Sequence, residues 1–180
     1  MPRIEGFIKP EEVLDRVGLK QGMKTADLGC GAGFFILPAA KIVGEKGVAY
    51  AIDIQQSALS GVEDKAHMEG LDDIIKMVWA DLEVYQSTKL PDNTLDLAML
   101  VDVLFQNDKP QEIFKEAKRI TKGDGKILII DWKLQDLPFG PLPDNRISEH
   151  KVKELAQDLG LDLLDSWDPS PYHYALVYKK

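Results

Sequence analysis

The chain has 180 residues, 44% hydrophobic and 29% charged, the profile of a soluble globular protein long enough to bury one full core without disulfides or metals. No apolar run approaches the roughly 18 residues of a membrane span, so no membrane partner is expected. The net charge of −8 argues against broad phosphate-backbone binding, which takes clustered Lys and Arg, and nucleic acid is a poor guess for a partner.

The first residues, MPRIEGFIKPEE, carry neither a basic segment followed by an apolar stretch nor an Arg-rich amphipathic pattern, so a cytoplasmic location is expected. Pro10–Val17 reads as a short amphipathic helix. From there, short β-branched runs alternate with segments of helical period, the signature of a parallel sheet covered on both faces. Lys24–Leu28 reads as the first strand, Phe34–Val43 as a helix, and Gly47–Ile52 as the second strand. Gln55–Glu69 is a helix stopped by Gly70, Ile74–Ala80 a third strand, Leu95–Val101 a fourth, Pro110–Thr121 a helix and Gly125–Asp131 a fifth, fully buried strand.

Residues 133–147 contain Pro138, Pro141 and Pro143 and read as a long loop. Ser148 caps a helix to about Leu159, with Gly160 as its stop, and Leu161–Trp167 and Tyr172–Tyr178 read as two last strands. The short link Asp168-Pro169-Ser170-Pro171 forces these two antiparallel, because a parallel return needs a crossover of about a dozen residues. The expectation is one domain over residues 1–180: a doubly wound α/β fold whose seven-stranded sheet is parallel except for its last strand.

Chemistry concentrates at the strand ends. Ala26-Asp27-Leu28-Gly29-Cys30-Gly31-Ala32-Gly33 begins on a strand and opens into a helix, with three alternate glycines that let backbone turn tightly and approach a ligand. The dinucleotide fingerprint G-x-G-x-x-G places its third glycine one residue later, where Phe34 stands here, which favours a ligand without a pyrophosphate. Cys30 is the lone cysteine; it leaves no internal disulfide and no cysteine metal cluster, and is read as a compact filler of the loop. Ala51-Ile52-Asp53-Ile54 puts a carboxylate where it can accept hydrogen bonds from both ribose hydroxyls, and Asp81 ends the third strand in reach of an adenine edge.

With three successive strands ending in Asp around this glycine loop, the chain from about Gly18 to Lys180 resembles the class I S-adenosylmethionine-dependent methyltransferases. It is closest in pattern to the small methyltransferase-domain group that includes ubiquinone and menaquinone biosynthesis enzymes. The resemblance implies a Rossmann-like methyltransferase fold with a reversed final strand, and S-adenosyl-L-methionine as cofactor. It implies that Asp27, Gly29, Gly31 and Gly33 wrap the methionine half, that Asp53 holds the ribose, that Asp81 and Leu82 meet the adenine, and that Ile54 belongs to the cofactor-binding set. The segment Val101-Asp102-Val103-Leu104 follows the fourth strand at the cofactor's edge. No metal is implied. A crevice lined with carboxylates suits a sulfonium cation and repels a pyrophosphate.

The acceptor is less legible. Asp102, Gln106, Asn107, Asp131 and Trp132 project toward the crevice rim by topology, and Tyr172 and His173 begin the reversed strand there. Asp102, Asp131 and His173 are the candidate catalytic residues, with His173 read as a partly exposed hairpin residue; His67 and His150 read as solvent-facing. No Asn-Pro-Pro-Tyr or Asp-Pro-Pro-Tyr and no Pro-Cys pair follows the fourth strand, so base-amine and covalent cytosine chemistry have no support. The expected acceptor is a small molecule or an exposed protein side chain. With few residues ahead of the first strand, the site is closed by loop 133–147, by a partner subunit or second copy, or by a large acceptor. The alternatives are a non-catalytic binding module on the same fold and, from the glycine spacing a weaker fit, a nicotinamide-dependent oxidoreductase.

Overall fold

The computed structural model describes residues 7–137 and 139–180; the first six residues of the leader reading and Pro138 lie outside the described residues. Seven strands, β1 (Lys24–Leu28), β2 (Val48–Asp53), β3 (Ile75–Trp79), β4 (Leu95–Val101), β5 (Thr121–Trp132), β6 (Asp162–Ser170) and β7 (His173–Lys179), form one sheet in the order β3-β2-β1-β4-β5-β7-β6. β1 to β5 pair in parallel, while β7 runs antiparallel to both β5 and β6. The last strand therefore slips between its two neighbours instead of extending the edge.

Helices α1 (Pro10–Val17), α2 (Ile36–Val43) and α3 (Gln56–Glu69) cover one face, and α4 (Pro110–Ile120) and α5 (Glu149–Asp158) cover the other. Period-two alternation feeds both cores from each strand: Leu128 and Ile130 of β5 enter the first, Ile127 and Ile129 the second. This explains why the central strands read as continuous apolar runs. Arg16 of α1 closes the first face against β6, with a two-pronged hydrogen bond to Asp165 (2.9 and 3.2 Å) and its guanidinium over Trp167 at 4.3 Å.

Three boundaries differ from expectation by two residues or more, each for a local reason. α4 ends at Ile120 because Thr121 is already extended (φ −81, ψ 138), and β5 starts there, four residues ahead of Gly125. Its register against β4 shifts between Leu95 and Leu97, and Gly125 lies so close to β4 that a Cβ would stand 2.8 Å from the Leu95 carbonyl. β6 continues through Asp168 and Pro169 to Ser170, leaving Pro171-Tyr172 as the link. Pro169 is tolerated because β6 is an edge strand with a register shift at that place. At α2, the hydrogen bond from Leu37 N–H to Gly33 C=O (3.1 Å) seats the helix start on the glycine loop, although regular helix begins at Ile36 rather than Phe34.

Candidate active site

Strand order reverses at β1, which has β2 on one side and β4 on the other, and open α/β sheets bind ligands beyond the strand ends at such a point. A crevice opens there, lined by Gly29, Gly31, Asp53, Ile54, Asp81 and Leu82 of the expected set. Gln55, Ala58, Ala80, Val103, Gln106 and Asn107 complete it. The lining holds two carboxylates and no Lys or Arg.

The loop after β1 is held by backbone first. Gly29 and Cys30 N–H both donate to the Ile52 carbonyl (2.8 and 3.0 Å), and Gly31 N–H donates to Asp53 Oδ2 at 2.9 Å. Gly29, Gly31 and Gly33 all have positive φ, but they are not equivalent. A Cβ on Gly29 would stand 2.6 Å from Val103 Cγ2, whereas Gly31 faces open space. Gly29 thus makes its close approach to Val103, while Gly31 leaves its open side to the crevice it lines. Gly33 packs against Val62 and Leu37, away from the crevice, and seats α2 on the loop.

Asp27 lies beneath the loop, buried, with Oδ1 lacking any hydrogen-bond partner. Burial, and secondarily the charge of Asp53, pushes its carboxyl up to about 7. Asp53 is buried as well, its Oδ1 accepting from Gln55 N–H at 2.9 Å, which leaves each oxygen a lone pair for a ligand. Asp81 is exposed and accepts from Glu83 N–H at 3.0 Å. Val101 is half-buried and packs on the core of the first face; Val103, two residues on, lines the crevice instead.

The three catalytic candidates meet. His173 Nε2 lies 3.5 Å from Asp102 Oδ1, and Asp131 is the residue before Trp132, the register partner of His173. Trp132 packs on the His173 ring at 4.2 Å between centroids. His173 is buried at 6% exposure, not the partly exposed residue expected, because β7 is enclosed between β5 and β6. His67 and His150 are solvent-facing, as expected. Asp131 Oδ1 accepts from its own neighbour Trp132 N–H at 2.8 Å, while its Oδ2 has no hydrogen-bond partner.

Sequence reasoning missed Arg146. Its guanidinium, buried at 7% exposure, donates to the carbonyls of Pro141 (2.9 and 2.6 Å), Lys133 (2.8 Å) and Gln135 (2.5 Å) and lies 5.5 Å from the Trp132 ring. A lone Arg inside a Pro-rich loop was the available signal. The segment around the crevice is pinned, not loose. Among the described residues no group of His, Cys, Asp and Glu has metal-binding geometry.

Comparison with known proteins identifies the lineage. A family model described as a methyltransferase domain matches residues 19–168. The ubiquinone/menaquinone biosynthesis C-methyltransferase UbiE of Laribacter hongkongensis is 29% identical over 131 residues, which cover 73% of this chain and 52% of that protein. Sterol 24-C-methyltransferase ERG6B of Gibberella zeae is 27% identical over 121 residues, 67% of this chain and 30% of that one. The chain thus spans about a third to a half of the length of these relatives. A crystal structure of a SAM-dependent methyltransferase from Aquifex aeolicus superposes with TM-score 0.87 at 32% identity, covering 95% of this chain and 89% of that one. The fold alone is shared with the cyclase SpnF, at TM-score 0.80 and 17% identity, covering 99% of this chain and 88% of that one. Glycine loop, strand-end acids, reversed β7 and these matches agree: the chain belongs to the class I S-adenosylmethionine-dependent methyltransferases, a family whose cofactor is S-adenosylmethionine.

Proposed function

We propose that this chain transfers a methyl group from S-adenosylmethionine to a small molecule or an exposed protein side chain. The observation that carries this reading is the glycine loop itself: Gly29, Gly31 and Asp53 line a crevice that holds no Lys or Arg, and the neighbouring Asp27 is buried with an unpartnered oxygen. A buried orphan acceptor of this kind calls for a donor or cation from a ligand. A pyrophosphate would meet only repulsion.

The residues fit the cofactor. Gly29 supplies close backbone, Asp27 and the loop suit the methionine half, Asp53 suits the ribose hydroxyls, and Asp81 with Leu82 and Ile54 suits the adenine. When bound, the cofactor supplies an electrophilic methyl group. The chain's own contribution is alignment of that group with the acceptor, which by itself supplies much of the acceleration in a displacement reaction. Arg146 ties the loop 133–147 to the end of β5, where Trp132 packs on His173, and this supports closure by the loop over closure by a partner subunit or second copy. No helix among the described residues is long and apolar enough to cross a membrane.

The experiment is formation of S-adenosylhomocysteine by the purified protein across a panel of quinols, sterols, amines, thiols and cell-extract proteins. Product with at least one acceptor class is expected. A folded, cofactor-binding protein that makes none with any class would favour the binding-module reading.

A further inference from the structure

Asp102, Asp131 and His173 come from the ends of three strands, and each has a buried polar atom without a partner: Asp102 Oδ1, Asp131 Oδ2 and His173 Nε2. Cores normally satisfy such atoms, and two of these, Asp102 Oδ1 and His173 Nε2, face each other across 3.5 Å, which marks a site and not a packing accident. A second, independent observation points to Asp102. Its φ is +53, in the left-handed region that few side-chain-bearing residues adopt. Asp102 follows the last residue of β4 and adjoins the crevice through its neighbours. The next residue, Val103, lines the crevice against Gly29, and Gln106 Nε2 holds the Asp102 carbonyl at 2.5 Å. One oxygen faces His173, while the side chain as a whole keeps 35% exposure.

The histidine is oriented from behind. Ser170 Oγ accepts from Tyr172 N–H at 3.2 Å and stands 2.8 Å from His173 Nδ1, so the hydroxyl hydrogen is free to donate to Nδ1. That assignment leaves the ring proton on Nε2, aimed at Asp102. With no metal-binding geometry among the described residues, the cluster is suited to a proton.

We propose that Asp102, positioned by His173, faces the reactive end of the cofactor crevice and accepts the proton of a neutral methyl acceptor: a hydroxyl, a thiol or a carbon acid. The proposal rests on the crevice holding S-adenosylmethionine. The acceptor atom uses the electron pair of its bond to hydrogen to bind the methyl carbon, the carbon–sulfur pair stays on sulfur, and the proton goes to the Asp102 carboxylate. A neutral acceptor, a sulfonium and a carboxylate become three uncharged groups, so atoms and charge balance.

The ionisation states agree with these roles. Burial pushes Asp102 up to about 7, within reach of a proton at neutral pH. His173 is pushed down to about 4, by burial first and then by Arg146 and Lys133, so it stays neutral and orients Asp102 without carrying charge itself. Asp131 is pushed up to about 8, by burial first and with Asp102 adding to it. Tyr174, the register partner of Asp131, also feels Asp131 and Asp102 and is raised, burial being the larger cause.

A base in this role must stand at the reactive end and be ionised when the cation is bound, and both requirements can be read without an acceptor. S-adenosylmethionine and S-adenosylhomocysteine differ in the charge on sulfur, so the ratio of their affinities reports an anion beside it. Asp27, beneath the glycine loop, acts on both. The ratio is measured by calorimetry from about pH 5.5 to about pH 8.5 for wild type, Asp102→Asn and His173→Phe. Asn tolerates the left-handed backbone, so Asp102→Asn keeps the turn. In wild type the preference for the sulfonium is expected to rise about tenfold with pH beyond any rise in Asp102→Asn, which retains homocysteine-ligand affinity. His173→Phe keeps the site dry but removes the polar N–H that faces the carboxylate across 3.5 Å, and moves the midpoint upward. Identical pH courses in wild type and Asp102→Asn overturn the proposal, and an unmoved midpoint in His173→Phe overturns the positioning role. Failure of wild type to bind either compound is a different result, and overturns the cofactor reading beneath both.

Discussion

The carboxylate of Asp53 is engaged by the chain before any ligand arrives, with Oδ2 on Gly31 N–H and Oδ1 on Gln55 N–H. It therefore both shapes the glycine loop and offers its remaining lone pairs outward. Asp53→Ala is expected to weaken S-adenosylhomocysteine binding by roughly 1–3 kcal/mol through loss of charge-assisted hydrogen bonds. Calorimetry on the folded variant checks this, and unchanged affinity would remove the role. The glycines separate in the same way. Gly29→Ala adds a 2.6 Å clash with Val103 to the strain of positive φ, whereas Gly31→Ala adds strain alone. Gly29→Ala should lower the melting temperature and ligand affinity more than Gly31→Ala, and the reverse order would contradict the loop geometry. The sequence announces three glycines and an acid but cannot rank them, because the ranking depends on Val103, which lies more than seventy residues away.

At the scale of elements, the loop after β5 and the strand ends around it set the stability. Arg146 holds residues 133–141 through charged hydrogen bonds to three carbonyls, and its removal leaves those carbonyls buried without donors. Arg146→Ala is expected to cost about 2–3 kcal/mol and to expose this loop to limited proteolysis. A cleavage pattern identical to wild type would mean that the loop is held by other contacts. Asp131 makes the reverse prediction with pH. Its folded-state ionisation is raised from an ordinary 3.8 to about 8 by burial, so its stabilising contribution is complete below pH 4 and disappears as pH climbs toward 8. Asp131→Asn keeps an acceptor for Trp132 N–H and escapes that loss. Its stability relative to wild type should grow with pH, reaching roughly 1–3 kcal/mol at pH 8 in denaturant titrations; a difference independent of pH would contradict the burial account. Element positions were legible because apolar runs and turn residues are local signals. The β4–β5 irregularity, the run of β6 through Pro169 and the burial of His173 were not, since each is decided by which strand becomes the neighbour.

Across the whole molecule, alternation of strand and helix announced the doubly wound sheet, and the short terminal link announced the reversed strand. The placement of β7 between β5 and β6 followed from neither, and it is this placement that brings His173 to Asp102. The cofactor side was legible because Asp27, Asp53 and Asp81 mark strand ends at regular intervals around a glycine loop. The proposed acceptor side draws on β4, β5, β7 and a pinned loop, so no single stretch of sequence carries it. The central claim, that the crevice at the β1/β4 reversal holds S-adenosylmethionine, is tested most directly by calorimetric titration of the purified chain with S-adenosylmethionine, S-adenosylhomocysteine and NAD in parallel. Saturable binding of both adenosyl compounds at one site, with none of NAD, is the predicted result; binding of NAD alone, or of none of the three, would contradict it.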